Sequence, residues 1–533
     1  MKRRFSLVAL FAACFLPALT LGADDWKKTF SDKFSSKNSW ERAAALKSLD
    51  PNNPDQLKML LQLSETSKNP QEWYYRTAIA DVLAGKLEAK AAEELKKALK
   101  TGQGGVAEIV ATAYGHAKDA DKTDELIEAL EKAKDWKVRR AAAIALGSIP
   151  TKKGVSALVK TLDAEAKNFM VQVHIIEALE RATQEKANKT AADWKGWWTG
   201  AESNWEPPKG DAKTDATAEG DKKPGDELKT TVRGTDLDFR SRGKGRPLLV
   251  LPEYGFEKDY METYLRNLEE SNQILYLKLP AIADFKNPPL ENAPNLPQPF
   301  YPIDRLVEAL EGAREEFVKG GKIAEKSSLA IMGHGITCWV AVRYANKYPK
   351  SVSRLVLVST YASDKAFERD RKAMEEYGKK TGDDELAHFA QSLLYDGQTK
   401  KHLYEPTGDD DGRALRRKQF TAYFGDVHDL EIGRILGPIV EKRTSETTAS
   451  RDYGIYRDVG GCFIPPFDMA KENPVAQPCL IVSGEQAFFG SPDDCNEIAK
   501  QCDKPRVEII KGARMPMIEE NQKFVATMLK HLH

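Results

Sequence analysis

The first 200 residues alternate apolar and charged positions at the spacing of α-helices. Small or apolar residues recur at matching places in YRTAIADVLA, VAEIVATAYG, VRRAAAIALG and VQVHIIEALE. Large apolar side chains mark the register at a spacing of roughly 31 to 34 residues, namely Leu49, Leu83, Tyr114, Leu146 and Leu179. Between them lie second helices, apolar at i, i+3 and i+4, such as QLKMLLQL, ELKKAL, ELIEAL and ALVKTL. This period predicts pairs of helices that stack into a solenoid.

The order of residues within each unit narrows the kind of solenoid. An apolar residue and Arg, followed after two spacers by Ala, Ala, a spacer, Ala, Leu and Gly, resembles HEAT repeats of the short kind. The resemblance extends over about five repeats and implies an all-α domain over residues 24–205 that offers its surface to a protein partner. We expect Trp194, Trp197 and Trp198 to close this solenoid by packing over its last repeat.

The composition changes abruptly after the repeats. Residues 206–229 read EPPKGDAKTDATAEGDKKPGDELK and contain almost no apolar side chain. Such a segment buries too little surface to order itself, so we predict a flexible linker. A second domain then follows over residues 230–533.

This second domain alternates short apolar runs with helical stretches. The predicted strands are RPLLVLP, QILYLKL, SSLAIMG, RLVLVST, PCLIVSG and RVEIIKG, and the predicted helices include DYMETYLRNLEE and RLVEALEGAREEF. The alternation predicts a parallel sheet flanked by helices. The helical, charged insertion over about 363–474 predicts a cap above the carboxyl edge of the sheet.

Charge and the N-terminus restrict the partners and the compartment. Lys and Arg together number 80, as do Asp and Glu, so no net field favours nucleic acid or an anionic membrane. The chain begins MKRRFSLVALFAACFLPALTLGA, with basic residues, an apolar run and small residues, which indicates a signal peptide over residues 1–23. No later stretch is apolar for long enough to span a membrane. We therefore expect a secreted or periplasmic protein.

The cysteines and histidines give no sign of a metal or cofactor. After removal of Cys14 an odd number of cysteines remains, too few for a disulfide scaffold, namely Cys338, Cys462, Cys479, Cys495 and Cys502. The cap histidines, His388, His402 and His428, lack the close spacing of zinc ligands. No nucleotide-binding loop is visible either, so we predict no metal and no cofactor.

Three segments of the second domain carry a family resemblance. They are YPIDRLVEALEGAREEF, YANKYPKSVSRLVLVSTYAS and GARMPMIEENQKFVATMLKHL. With these segments the domain resembles an α/β-hydrolase, near the single-cap, proline-iminopeptidase-like branch. The resemblance implies a nucleophile on a sharp strand-to-helix turn, a histidine base and an acid that orients the histidine.

The residues that would perform this chemistry are replaced. In the register of the resemblance, the nucleophile position falls on Gly335, the acid position on Ala487 and the base position on Met515. The loop that would stabilise an oxyanion carries Glu253, whose negative charge would oppose one. The resemblance therefore implies the fold with a degenerate triad, so we expect no catalytic residue.

Two hypotheses about function follow, besides the possibility that the solenoid is the functional part and the second domain only a stable appendage. The first is an exported binding or scaffold protein whose solenoid contacts an unknown protein partner and whose capped pocket holds a small molecule. We expect that pocket to be lined by Glu253, Tyr254, His334, Gly335, Ile336 and Met515. The alternative is an ester or amide hydrolase with a non-standard site, such as His334 with Glu485 or Asp493. Thr337 is a weaker candidate nucleophile because it lies in the helix after the turn, and we interpret Cys338, one residue further, as a small buried hydrophobe.

Overall fold

The structure is a computed structural model that describes the chain in separate ranges. These are residues 25–35, 39–66, 73–102, 104–185, 190–208, 227–253, 259–280, 303–324, 328–392, 395–396, 401–402 and 467–533. The predicted signal peptide, most of the predicted linker and the middle of the predicted cap lie outside the described residues.

The N-terminal part is built from helices, as the sequence predicts. In chain order they are α1 (Asp25–Phe34), α2 (Ser39–Lys47), α3 (Pro54–Thr66), α4 (Trp73–Leu83), α5 (Ala89–Thr101), α6 (Gly104–Ala117), α7 (Thr123–Lys132), α8 (Trp136–Ser148), α9 (Lys152–Thr161), α10 (Phe169–Thr183) and α11 (Ala191–Ala201). The even-numbered helices from α2 to α10 stack on one another in one layer. Helices α5, α7, α9 and α11 stack in a second layer against the first. The five side chains that marked the register are all buried.

Glycines hold neighbouring helices of the first layer close together. A Cβ atom on Gly115 would lie 2.8 Å from the Cα atom of Ala145, and one on Gly147 would lie 2.6 Å from that of Ala178. Since real Cβ atoms do not come so close to another carbon, a larger residue at either place would push the helices apart. The small-residue positions of the repeat thus set the interhelical distance.

A buried ladder of charges crosses the same layer. The carboxylate of Glu108 on α6 accepts hydrogen bonds from Arg76 on α4 at 2.7 Å and from Arg140 on α8 at 3.0 Å. All three side chains are almost fully buried, and each stands 32 residues from the next. Because the charges alternate in sign, the one carboxylate pairs with an arginine from each of the two neighbouring repeats. These pairs fix the position of the three repeats relative to one another.

Tryptophans close the last repeat, as predicted. Trp194 and Trp198 on α11 are buried, and Trp197 meets Trp194 edge to face with ring centroids 5.4 Å apart. Trp205, just after α11, packs in the same way on Trp198 at 5.6 Å. The aromatic cluster therefore covers the apolar end of the second layer.

The C-terminal part contains an eight-stranded sheet. Its strands are β1 (Glu227–Val232), β2 (Thr235–Arg242), β3 (Arg246–Leu251), β4 (Asn272–Lys278), β5 (Leu329–His334), β6 (Val352–Val358), β9 (Val475–Gly484) and β10 (Cys502–Ile510). They lie in the order β1-β2-β4-β3-β5-β6-β9-β10, and only β2 runs against the other strands of this sheet. A separate hairpin pairs β7 (Tyr395–Asp396) with β8 (Lys401–His402). The six predicted strands are confirmed, whereas β1 and β2 were not predicted, and β1 begins within the predicted linker.

Helices cover both faces of this sheet. They are α12 (Asp259–Tyr264), α13 (Ile303–Lys319), α14 (Thr337–Lys347), α15 (Asp364–Thr381), α16 (Asp384–Ser392), α17 (Pro492–Ala499), α18 (Pro516–Glu519) and α19 (Asn521–Leu532). Side chains alternate along each strand, so that Leu248 and Val250 pack with α12 and α19, while Leu249 and Leu251 pack with α13 and α14. Helices α15 and α16 follow β6, where the sequence predicts the cap.

The solenoid packs directly on the second domain. Helix α10 contacts α12, α19 and the short 3-10 turn at 266–268. Glu177 accepts a hydrogen bond from Thr263 at 2.6 Å, and Glu180 forms a largely buried ion pair with Arg266. The side of α10 that would face another repeat is therefore covered by the sheet domain. The contact between the two domains therefore comes from this packing, the hydrogen bond and the ion pair, and a flexible linker alone would not produce it.

Candidate functional site

The turn between β5 and α14 corresponds to the predicted nucleophile turn. Strand β5 ends at His334, and Gly335 has φ +60° in the left-handed region that favours glycine. Gly333 brings the helix close to the strand, because a Cβ atom there would lie 2.7 Å from the Cα atom of Cys338. The sharp strand-to-helix turn is therefore present, and glycine occupies its apex.

The carboxylate of Glu253 fills the space in front of Gly335. A Cβ atom on Gly335 would lie 1.8 Å from Oε2 of Glu253 and 2.3 Å from its Cδ. Glu253 follows β3 directly, and its side chain is only 3% exposed. Any side chain at position 335 would thus overlap the carboxylate that occupies this place.

Arg514 neutralises this carboxylate. Its Nε and Nη2 atoms donate to Oε2 of Glu253 at 3.1 and 2.5 Å. The guanidinium lies 5.9 Å from the ring centre of Tyr361 and 5.7 Å from that of Phe489. The N–H of Ile336, at the start of α14, also points to the carboxylate, at 3.4 Å from Oε1. The carboxylate of Glu253 therefore lies against the guanidinium of Arg514 and the positive end of the α14 dipole.

Both ring nitrogens of His334 have partners. Nε2 lies 3.0 Å from the carbonyl oxygen of Arg514, which can only accept, so Nε2 carries the proton. Nδ1 then accepts from the hydroxyl of Tyr260 at 2.8 Å, and that hydroxyl accepts from the N–H of Glu253 at 2.9 Å. We assign this tautomer from the hydrogen bonds. Burial, and after it the positive charge of Arg514, lower the pKa of His334 to about 3. The imidazole is therefore neutral at physiological pH.

The positions predicted for the acid and the base lie near this cluster. Ala487 follows β9 and is buried, and Met515 is completely buried where α18 begins. Glu485 and Asp493, which the alternative hypothesis pairs with His334, are exposed and form no described hydrogen bond with it. The absence of a working triad stays a prediction, to which the filled site adds geometric support.

The weaker candidate nucleophile, Thr337, and the neighbouring Cys338 are both buried and hydrogen-bonded. The hydroxyl of Thr337 lies 2.9 Å from the carbonyl oxygens of Leu251 and His334, and accepts from the His334 N–H at 3.0 Å. Cys338 is buried, its Sγ atom lies 3.7 Å from the carbonyl oxygen of Val358, and burial raises the pKa of its thiol. Neither side chain is placed as an accessible nucleophile.

The residues predicted to line a pocket are mostly buried. Glu253, His334 and Met515 have little or no exposed surface, and Ile336 is partly exposed. Tyr254 lies outside the described residues. Sequence reasoning noted Glu253 as a departure from the resemblance, but it did not pair this residue with Arg514. The signal was available in their opposite charges, at two loops that the fold brings to one place.

The described ranges contain neither a candidate metal site nor a candidate membrane span. No group of three His, Cys, Asp or Glu side chains there could hold a metal ion. None of the described helices is long and apolar enough to cross a membrane. Four cysteines of this part of the chain are free thiols, Cys338, Cys479, Cys495 and Cys502, while Cys462 lies outside it.

Comparison with known proteins supports the two-part architecture. A family described as HEAT repeats matches residues 123–193. The strand order of the sheet, with β2 alone reversed, is that of an α/β-hydrolase. The chain combines HEAT repeats with an α/β-hydrolase fold. No curated protein matches this chain in sequence.

Several solved structures resemble the hydrolase-like part. An α/β-hydrolase enzyme from a Medee basin deep-sea metagenome library has 15% identity and a TM-score of 0.41, covering 57% of this chain and 97% of its own. An enol-lactonase from Burkholderia xenovorans has 14% identity and a TM-score of 0.38, covering 57% and 99%. A hydrolase from Pseudomonas aeruginosa has 16% identity and a TM-score of 0.39, covering 58% and 99%. The fold assignment rests on the topology of the sheet rather than on these similarities.

Proposed function

We propose that this chain is an exported binding or scaffold protein whose α/β-hydrolase-like domain does not catalyse hydrolysis. The observation that carries the proposal is the position of the Glu253 carboxylate, which fills the space of a nucleophile in front of Gly335. A hydrolase needs an accessible nucleophile or an activated water at this place. A carboxylate bound to Arg514 offers neither.

The histidine supports the same proposal. A general base needs a nitrogen lone pair that faces the nucleophile or a water. In His334 the proton on Nε2 is donated to a carbonyl oxygen, and the lone pair of Nδ1 accepts from Tyr260. His334 therefore has no lone pair free for proton transfer, and its role is to hold the turn against the loop of Arg514.

The proposed binding role rests on two surfaces, that of the solenoid and that between the cap and the sheet. HEAT-like solenoids present long surfaces to protein partners, and the cap above the sheet is the place where this fold holds small molecules. Because α10 packs on the sheet domain, a partner of the solenoid would meet both domains in one fixed arrangement. The basic and apolar N-terminal run supports export, and the balanced charge disfavours nucleic acid.

Hydrolysis is tested with the purified mature protein and a broad panel of ester and aminoacyl chromogenic substrates. A His334→Ala variant and an active hydrolase of the same fold serve as controls. We expect no turnover above buffer by the wild-type protein, whereas the active hydrolase turns over its substrates. Turnover that disappears in His334→Ala would refute the proposal and favour the alternative, an ester or amide hydrolase with a non-standard site.

Export is tested separately by expression of the full chain in a bacterial host and N-terminal sequencing of the protein released from the cell envelope. We expect a mature N-terminus within a few residues of Ala23. Retention of the intact N-terminus in the cytosol would contradict the export part of the proposal and leave the argument about hydrolysis unchanged.

A further inference from the structure

A cluster of charges joins the cap to the core where α15 meets α17. Arg369 on α15 lies at its centre. Its Nε atom donates to Asp370 at 3.0 Å, its Nη2 to Asp494 at 3.0 Å and its Nη1 to Glu497 at 3.2 Å. One guanidinium thus faces three carboxyl groups, of which one lies on the cap helix and two lie on the core helix.

Two of these carboxyl groups are buried. Asp494 is 0% exposed and Asp370 is 5% exposed, whereas the side chains of Arg369 and Glu497 are nearly half exposed. Asp494 also accepts from the N–H and the hydroxyl of Ser491, both at 2.9 Å. It lies in the first turn of α17, where a helix favours negative charge. Asp494 therefore has hydrogen-bond donors of its own besides the guanidinium of Arg369.

Asp370 lacks this support. The described ion pair and hydrogen bond of its carboxyl group come from Arg369, which is shared with Asp494, and its Oδ2 atom is buried with no hydrogen-bond partner among the described residues. Two carboxylates at one buried site cannot both ionise easily. Burial, and after it the charge of Asp494, raise the pKa of Asp370 to about 8, although Arg369 acts in the opposite direction.

We propose that Asp370 and Asp494 form a proton-dependent clasp that fastens the first cap helix, α15, to α17 of the core. With one proton shared, the two carboxyl groups hold the helices together. When that proton is lost, two buried carboxylates face each other across the junction and share one half-exposed guanidinium. The attachment of α15 to the core then weakens.

The clasp connects to the filled site through aromatic contacts. Phe367 on α15 stacks on Phe489 with ring centroids 5.2 Å apart, and the Phe489 ring centre lies 5.7 Å from the guanidinium of Arg514. Opening of α15 would therefore remove a ring from the stack that covers Arg514. Such a clasp would act in the same way whether or not the domain hydrolyses a substrate.

The sign of the pH effect follows from proton linkage. With α15 detached, Asp370 has the ordinary pKa of an aspartate, near 4. Between about pH 4 and about pH 8 the closed state binds one proton more than the open state. Stability of the closed state is therefore lost as the pH rises, by up to about tenfold in the opening constant per pH unit, and the loss levels off above the folded pKa.

The test is hydrogen–deuterium exchange of the full chain by mass spectrometry from pH 5 to pH 9, corrected for the intrinsic pH dependence of amide exchange. Peptides from α15 are compared with peptides from α13 in the wild-type protein, in Asp370→Asn and in Glu376→Gln. Glu376 provides a matched control because it is an exposed carboxylate on the same helix.

In the wild-type protein and in Glu376→Gln we expect the opening constant of α15, relative to that of α13, to rise between pH 5 and pH 8 by up to about five hundredfold. In Asp370→Asn we expect no such rise, since the amide remains neutral. The same pH dependence in Asp370→Asn and wild type would overturn the proposal. If Asp370→Asn does not fold, the wild-type profile decides alone, and protection of α15 that is constant from pH 5 to pH 8 overturns it.

Discussion

Gly335→Ala is the substitution that tests the filled site most directly. Two physical costs arise at once. First, alanine must adopt φ +60°, a left-handed conformation that costs an L-residue about 1–2 kcal/mol. Second, its Cβ atom would lie 1.8 Å from Oε2 of Glu253, so the carboxylate has to move away. Movement separates it from Arg514, which is buried with it.

The second cost is the larger one. Separation of a buried ion pair leaves an uncompensated charge in the interior, which costs about 3–5 kcal/mol. We therefore expect Gly335→Ala to lower the free energy of unfolding by about 4–7 kcal/mol, as the sum of the two terms. In a Glu253→Ala background, where no carboxylate remains to be displaced, the same substitution should cost only about 1–2 kcal/mol.

Urea unfolding followed by circular dichroism provides the assay. Gly321→Ala is the matched control, because Gly321 has φ +68° and nothing within 4 Å of a Cβ atom there. The difference between the two variants isolates the displacement of Glu253 from the backbone strain. A Gly335→Ala variant no less stable than Gly321→Ala would refute the reasoning that the carboxylate occupies this place.

Three further outcomes follow from the same contacts. Glu180→Gln should lower the unfolding free energy by about 3 kcal/mol, since Arg266 stays buried at the domain junction; a loss below about 1 kcal/mol, as for a surface ion pair, would contradict this. The lowered pKa of His334, about 3, means that the unfolded state binds an extra proton below about pH 6.5. Stability should therefore fall as the pH drops from about 6.5 towards 3, and His334→Gln should flatten that slope in thermal unfolding. Gly335→Ser alone should give no ester turnover in the chromogenic assay, because Glu253 blocks the hydroxyl; measurable turnover would count against a filled site.

The repeat domain and the strands of the second domain could be predicted from the sequence because their signals are local. A period of roughly 31 to 34 residues predicts stacked helices, since each unit buries its apolar side only against its neighbours. The six apolar runs that predicted strands all lie in the sheet. Strands β1 and β2 escaped prediction because they carry many polar residues, and only pairing at the edge of the sheet makes them strands.

The sequence by itself also determined which residues stand at the turn, with Gly335 in place of a nucleophile. Only the tertiary structure decided that Glu253 fills the vacant volume and that Arg514, 261 residues away, neutralises it. The same holds for Asp370 and Asp494, and for the packing of α10 on the sheet domain. The physical reason is that periodicity encodes elements, whereas the partner of a buried charge depends on which distant loops the fold brings within a few ångströms of each other.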